Sequence, residues 1–138
     1  MSGRSETFEI ETPHPQASLD ITARVKELVA KAGVERGLCQ VMVLHSTAAV
    51  VVNETADPNI GRDVVGAFEA VFPTSNDWLH DKIDDNAHAH VKASVLGASE
   101  LIPVVDGELV LGTWQAIWLF EFDGPRTRKV MVHVLGTA

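Results

Sequence analysis

Residues 101–122 read LIPVVDGELVLGTWQAIWLFEF, and their reading decides the fold class. Leu101 to Val105 and Glu108 to Leu111 flank Asp106-Gly107. That dipeptide suits a type I′ turn, which needs positive φ at both central positions, so a β-hairpin is expected. Thr113 to Phe122 then alternates as a strand does. Trp114, Ala116, Trp118, Phe120 and Phe122 share one face; Thr113, Gln115, Ile117, Leu119 and Glu121 share the other. Asp123-Gly124-Pro125-Arg126 turns the chain, and Thr127 to Val134 returns as a final strand. Glu121 sits near the end of an otherwise apolar strand and calls for a partner. Arg126 or Arg128 across the turn is within reach, either as a structural ion pair or as part of a site.

Upstream, Thr7 to Thr12 alternates with Phe8 and Ile10 on one face, which predicts a half-buried strand ended by Pro13 and Pro15. Asp20 or Thr22 can cap a helix in which Ile21, Val25, Leu28, Val29 and Ala32 recur at helical spacing before Gly33. Leu38 to His45 is apolar and too short for a typical helix, so it reads as a buried strand. His45-Ser46-Thr47 interrupts it, and Ala48 to Asn53 resumes as another strand. Asp57-Pro58 opens a second helix, with Ile60, Val64, Val65, Phe68 and Phe72 on one side and Pro73 as its stop. Asp84, Asp85 or Asn86 can cap a third helix running to about Leu96. Strands outnumber helices and are joined mostly by hairpins. The expectation is an α+β fold, a largely antiparallel sheet or sandwich with two or three helices, in one domain over residues 1–138.

The formal net charge is −8, which argues against nucleic acid or an anionic membrane as a partner of the whole surface. A small anion remains possible where arginines converge. No apolar run approaches the ~20 residues of a membrane span. The first residues carry no apolar signal region. The lone Cys39 cannot form an internal disulfide and reads as a small buried hydrophobe, so a reducing, cytoplasmic setting is expected.

Residues 80–90, HDKIDDNAHAH, hold three of the six histidines. On a helix, residues two apart point about 200° away from each other, so His88 and His90 cannot both ligate one ion from regular helix. His80 with one of them is the better pair, and His45, where an apolar strand meets small polar residues, is the best third ligand. Three histidines and an open position describe a catalytic zinc-type site; the alternative is solvated loop histidines and helix caps. Glu54, Asp81, Asp84, Asp85 and Glu121 are candidates for proton transfer or for orienting the histidines. Gly124-Pro125-Arg126 with Arg128, or the start of the third helix around Asn86, can bind phosphate; the plainer reading is a solvated turn.

Ser99, Ile102, Val104 and Gly107, followed by Gly112-Thr113-Trp114-Gln115 and Ile117, resemble the signature of the YjbQ family. His45-Ser46-Thr47-Ala48, Asn53-Glu54, Asp63, His80-Asp81, Asp85-Asn86, His90 and Asp123-Gly124-Pro125-Arg126 extend the likeness over roughly Thr7 to Gly136. That family carries the label secondary thiamine-phosphate synthase. The resemblance implies a compact α+β domain, a homotrimer, and a polar, metal-binding pocket at a subunit boundary. It places site residues at His45, Glu54, His80, Asp81, Asp85, His90, Gln115, Glu121 and Arg126, and His88 at a variable position. With the residue-level reading, the expectation is a divalent metal (zinc or magnesium) on His45, His80 and His90. Glu54, Asp81, Asp85, Gln115 and Glu121 would be catalytic, and Arg126, Arg128 and Asn86 would bind phosphate. The implied activity is metal-dependent chemistry on a small phosphorylated metabolite, possible thiamine-phosphate synthesis included. The alternative is a non-catalytic trimer that binds a small anionic metabolite.

Overall fold

Strand β1 (Ser2–Glu11) lies antiparallel against the last strand of the chain, with Phe8 opposite Val130, both buried. The computed structural model describes residues 2–55 and 57–137. The remaining elements are β2 (Ala17–Asp20), α1 (Thr22–Ala32), β3 (Arg36–Val43), β4 (Ala48–Glu54), α2 (Asn59–Val71), a 3-10 turn (Leu79–Lys82), α3 (Ala87–Leu96), β5 (Ser99–Val105), β6 (Glu108–Leu109), β7 (Gln115–Glu121) and β8 (Thr127–Gly136). They form two antiparallel sheets, one in the order β1-β8-β3-β5-β6 and the other β2-β7-β4. The α+β expectation, an antiparallel sandwich with three helices, is met.

The main core lies between the sheets. Val41 and Val43 from β3, Val130, Val132 and Val134 from β8, and Ile102 and Val104 from β5 meet Val50, Ile117 and Leu119 from the smaller sheet. Helix α1 adds Val25, Leu28 and Val29, and Gly33 ends it at φ 64°. The opposite face of β7 builds a second cluster, in which Phe120 and Phe122 pack with Ala49 and Ala89 under α2 and α3. Strand β7 is therefore buried on both faces, as its apolar alternation required.

Several boundaries differ from the expectation. The hairpin is present, with Asp106 at φ 54° and Gly107 at φ 78° as the turn needs, but β6 is only two residues long and β7 begins at Gln115. Strand β2 has no alternating signal; its four residues pair with β7 because the chain returns beside that strand after Pro13 and Pro15. The apolar side of α2 is only half-buried, because this helix is an outer layer. Its one buried residue is Gly61, where an added Cβ would lie 2.2 Å from Ser18 Oγ. No helix among the described residues is long and apolar enough to cross a membrane. Cys39 is buried in the core, which pushes its thiol up to about 11 and leaves it unreactive.

Candidate functional site

An open cleft of about 1190 Å³ lies at one end of the sandwich. Three segments build it: the β3–β4 connection with His45 and Thr47, the 3-10 turn and start of α3 with His80, Asn86 and His90, and the β7–β8 turn with Asp123 and Arg126. Each segment leaves a regular element at that end, so its polar groups gather where the apolar pattern stops.

His80 and His90 meet edge to face, with ring centroids 4.9 Å apart. His88 faces the other way, as helical spacing predicts, and its buried Nδ1 accepts a hydrogen bond from Lys92 Nζ at 2.8 Å. Burial first, and then the Lys92 ammonium, hold His88 below its ordinary pKa. Lys92 is itself fully buried and bonds Glu69 Oε1 at 2.7 Å. Burial alone would raise Glu69, but hydrogen bonds from Lys92, Thr74 and Gln16 outweigh it and bring its pKa down to about 2. This network locks α3 to α2 and lies apart from the cleft lining.

His45 lines the cleft, but its Nε2 accepts the backbone N–H of Lys129 at 2.9 Å. The proton of a neutral imidazole then resides on Nδ1, and no ring lone pair is left for a metal. Burial, and after it Arg128, lower the pKa of His45. Among the described residues, no three His, Cys, Asp or Glu side chains converge as a metal-holding group. The fit to the expected three-histidine site is thus partial: two adjacent imidazoles, and a third whose acceptor nitrogen is occupied.

The expected catalytic residues separate. Glu121 is fully buried in a bidentate pair with Arg128, whose Nε donates to Oε1 at 2.8 Å and whose Nη2 donates to Oε2. Thr12 Oγ1 and the Asp123 N–H also donate to this carboxylate, at 2.6 and 3.0 Å. Arg128 Nη2 reaches Thr47 Oγ1 at 2.8 Å. Both charges are satisfied within the protein, so Glu121 is not placed as a free base, nor Arg128 as a free phosphate ligand. Glu54 and Gln115 are register partners at the far end of β4 and β7. Six residues of strand, roughly 20 Å, separate them from the Ala48–Glu121 pair beside the cleft. Gln115 Oε1 there accepts the Gly112 N–H at 2.7 Å. Asn86 is the N-cap residue of α3, one of the three expected, but its side chain makes no cap bond; Asp81 Oδ1 accepts the Ala87 N–H at 3.1 Å instead. Asp85 is exposed and off the cleft, whereas Asp84 lines it.

Arg126 is half-exposed on the cleft rim, held by Asp123 through Nη2–Oδ2 at 2.9 Å and Nε–O at 2.8 Å. Asp123 also accepts Asn86 Nδ2 at 2.8 Å. That bond uses one of the two amide N–H groups of Asn86, and its Oδ1 is left without a donor. Asp123 itself had no assigned role. Its signal lay in the Asp123–Arg126 spacing within one turn, which puts opposite charges three residues apart.

The sequence pattern of the family described as UPF0047 protein YjbQ-like matches residues 6–137. The UPF0047 protein YugU of Bacillus subtilis is 37% identical over 134 residues, covering 95% of this chain and 98% of that protein. The UPF0047 protein YjbQ of Salmonella typhimurium is 42% identical over 107 residues, covering 75% of this chain and 76% of its own length. Among solved structures, a YbjQ-like protein of unknown function from Sulfolobus solfataricus superimposes with a TM-score of 0.95 at 40% identity, over 98% of both chains.

Proposed function

The chain belongs to the UPF0047 YjbQ-like family, and from that premise we propose that its open cleft binds a small phosphorylated metabolite. The observation that carries this reading is the convergence of His45, His80, His90 and Arg126 on one cleft. In a chain of net charge −8, an anion needs such a local gathering of donors. Arg126 is the natural phosphate ligand, since Asp123 orients its guanidinium while leaving half of it open. The supply of free cations favours one phosphate over a diphosphate. Arg128 and Lys92 are committed to Glu121 and Glu69. Thiamine-phosphate synthesis, which releases pyrophosphate, calls for more positive charge than Arg126 offers.

The test is calorimetric titration with inorganic phosphate and ethyl phosphate. Arg126→Ala should weaken binding by about tenfold or more, the scale of a charged hydrogen bond. Undiminished affinity in that variant would rule out this placement of the phosphate.

The contact between His80 and His90 favours a second reading, a metal-dependent enzyme acting on the same ligand. Two imidazoles suit zinc better than magnesium. A bound divalent ion would supply Lewis-acid polarisation of the phosphate or an activated water. Elemental analysis of the purified protein should then find zinc, lost in His80→Ala and His90→Ala together with turnover of phosphate esters. Phosphate binding with neither metal nor turnover would leave the binding function alone.

Self-association, as the trimer implied by the resemblance, is part of the same proposal. The outer face of the larger sheet supports it: Leu38, Met42, Leu101, Val105 and Leu135 are exposed there on adjacent strands. Met42 also lines the cleft, so a second copy on this face would flank the site.

A further inference from the structure

Asn86 is 7% exposed and lines the cleft, and its Oδ1 is buried without any hydrogen-bond donor. It is the sole such side-chain atom among the described residues. A buried acceptor with no donor is costly and therefore calls for an explanation. Rotating the amide does not provide one. The flipped group would set Oδ1 against Asp123 Oδ2, which now takes Asn86 Nδ2 at 2.8 Å and Arg126 Nη2 at 2.9 Å, and two acceptors would face each other. Helix capping does not use the oxygen either. Asn86 is the N-cap of α3 and makes no side-chain cap bond, and the Ala87 N–H goes to Asp81.

The same Asp123 carboxylate thus fixes two groups of the cleft in opposite senses. It holds the Arg126 guanidinium, a donor, at the cleft rim, and by taking one Asn86 N–H it fixes the amide so that Oδ1 has no donor. We propose that Asn86 Oδ1 receives a hydrogen bond from the ligand itself. The ligand would then be a phosphate ester that also carries a hydroxyl or protonated amine near its phosphate. This rests on the phosphate reading of the cleft and narrows its substrate class. The phosphate of a fully ionised ester cannot fill the role, because all its free oxygens are acceptors, so the comparison is made above about pH 7.5, well past the second phosphate pKa of about 6.

The experiment compares ethyl phosphate, which carries no such donor, with glycerol phosphate and phosphoethanolamine, by calorimetry on the full chain. A donor-bearing ester should bind about tenfold more tightly than ethyl phosphate. The better of the two identifies the donor as hydroxyl or ammonium. In Asn86→Ala the ratio of donor-bearing ester affinity to ethyl phosphate affinity should fall to about one, whatever the change in ethyl phosphate affinity itself. Equal binding of all three esters by the natural protein overturns the inference, since a bound water would then be satisfying Oδ1, and leaves the phosphate site standing. A preference that persists in Asn86→Ala also overturns it. Failure of every ester and of inorganic phosphate to bind removes both readings. The ester series on the natural protein decides the matter even if the variant does not fold.

Discussion

Arg128 reaches the cleft wall with its charge already spent on Glu121. Removing one partner of such a pair strands the other, so Arg128→Met should destabilise the protein by about 3–5 kcal/mol. The double variant Glu121→Leu with Arg128→Met should recover most of that loss. Urea denaturation at neutral pH measures both, and a single variant as stable as the parent would contradict the structural role. Acid sensitivity also belongs to single residues. His88 and His45 are held below their ordinary pKa, chiefly by burial. An unfolded chain takes up protons near the ordinary histidine value of about 6.5, and the folded one resists. Stability from this source is therefore complete above that pH and is lost as the pH falls toward the lower folded values. The denaturation midpoint should drop between pH 7.5 and 5.5, and His88→Gln should lessen the drop. An unchanged pH dependence in that variant would show that His88 takes no part.

Among the elements, the short turn before α3 matters most. Its Asp81 adjoins His80, and its carboxylate accepts the Ala87 N–H at the start of the helix. Asp81→Ala should cost about 1 kcal/mol of stability, the worth of a cap, and leave phosphate affinity intact well below the melting temperature. Loss of binding in a folded Asp81→Ala protein would instead bring that carboxylate into contact with the ligand. Helix α3 divides its histidines between two tasks. His90 meets His80 at the cleft, and His88 bonds Lys92, which ties α3 to Glu69 of α2. Residues two apart on a helix cannot do otherwise.

For the molecule as a whole, the larger sheet presents Leu38, Met42, Leu101, Val105 and Leu135 on one exposed outer face. If copies associate there, Leu38→Asp combined with Leu101→Lys should convert the assembly to monomers in light scattering, with little change in the fold of each chain. Should the natural protein run as a monomer at micromolar concentration, the proposed trimer would be wrong. Met42 also predicts that phosphate affinity changes when the assembly is broken, because it belongs to both the sheet face and the cleft.

Period-two alternation and the Asp106-Gly107 turn determined the hairpins, and with them an antiparallel α+β fold. Helical spacing determined that His88 and His90 part company. These are local regularities, set by backbone geometry within a few residues. Strand β2 and the half-buried state of α2 were decided by packing, since each depends on what β7 and the outer layers offer it. The site divides in the same way. His80, His90 and Arg126 were legible as residues suited to an anion or a metal. An arginine partner for Glu121 was legible across the turn, but tertiary structure chose Arg128 over Arg126, put Glu54 and Gln115 at the opposite end of the strands, and left Asn86 Oδ1 without a donor. Local pairs such as Asp123–Arg126 are encoded by spacing, whereas partners from distant segments, such as Asn86 for Asp123, are not.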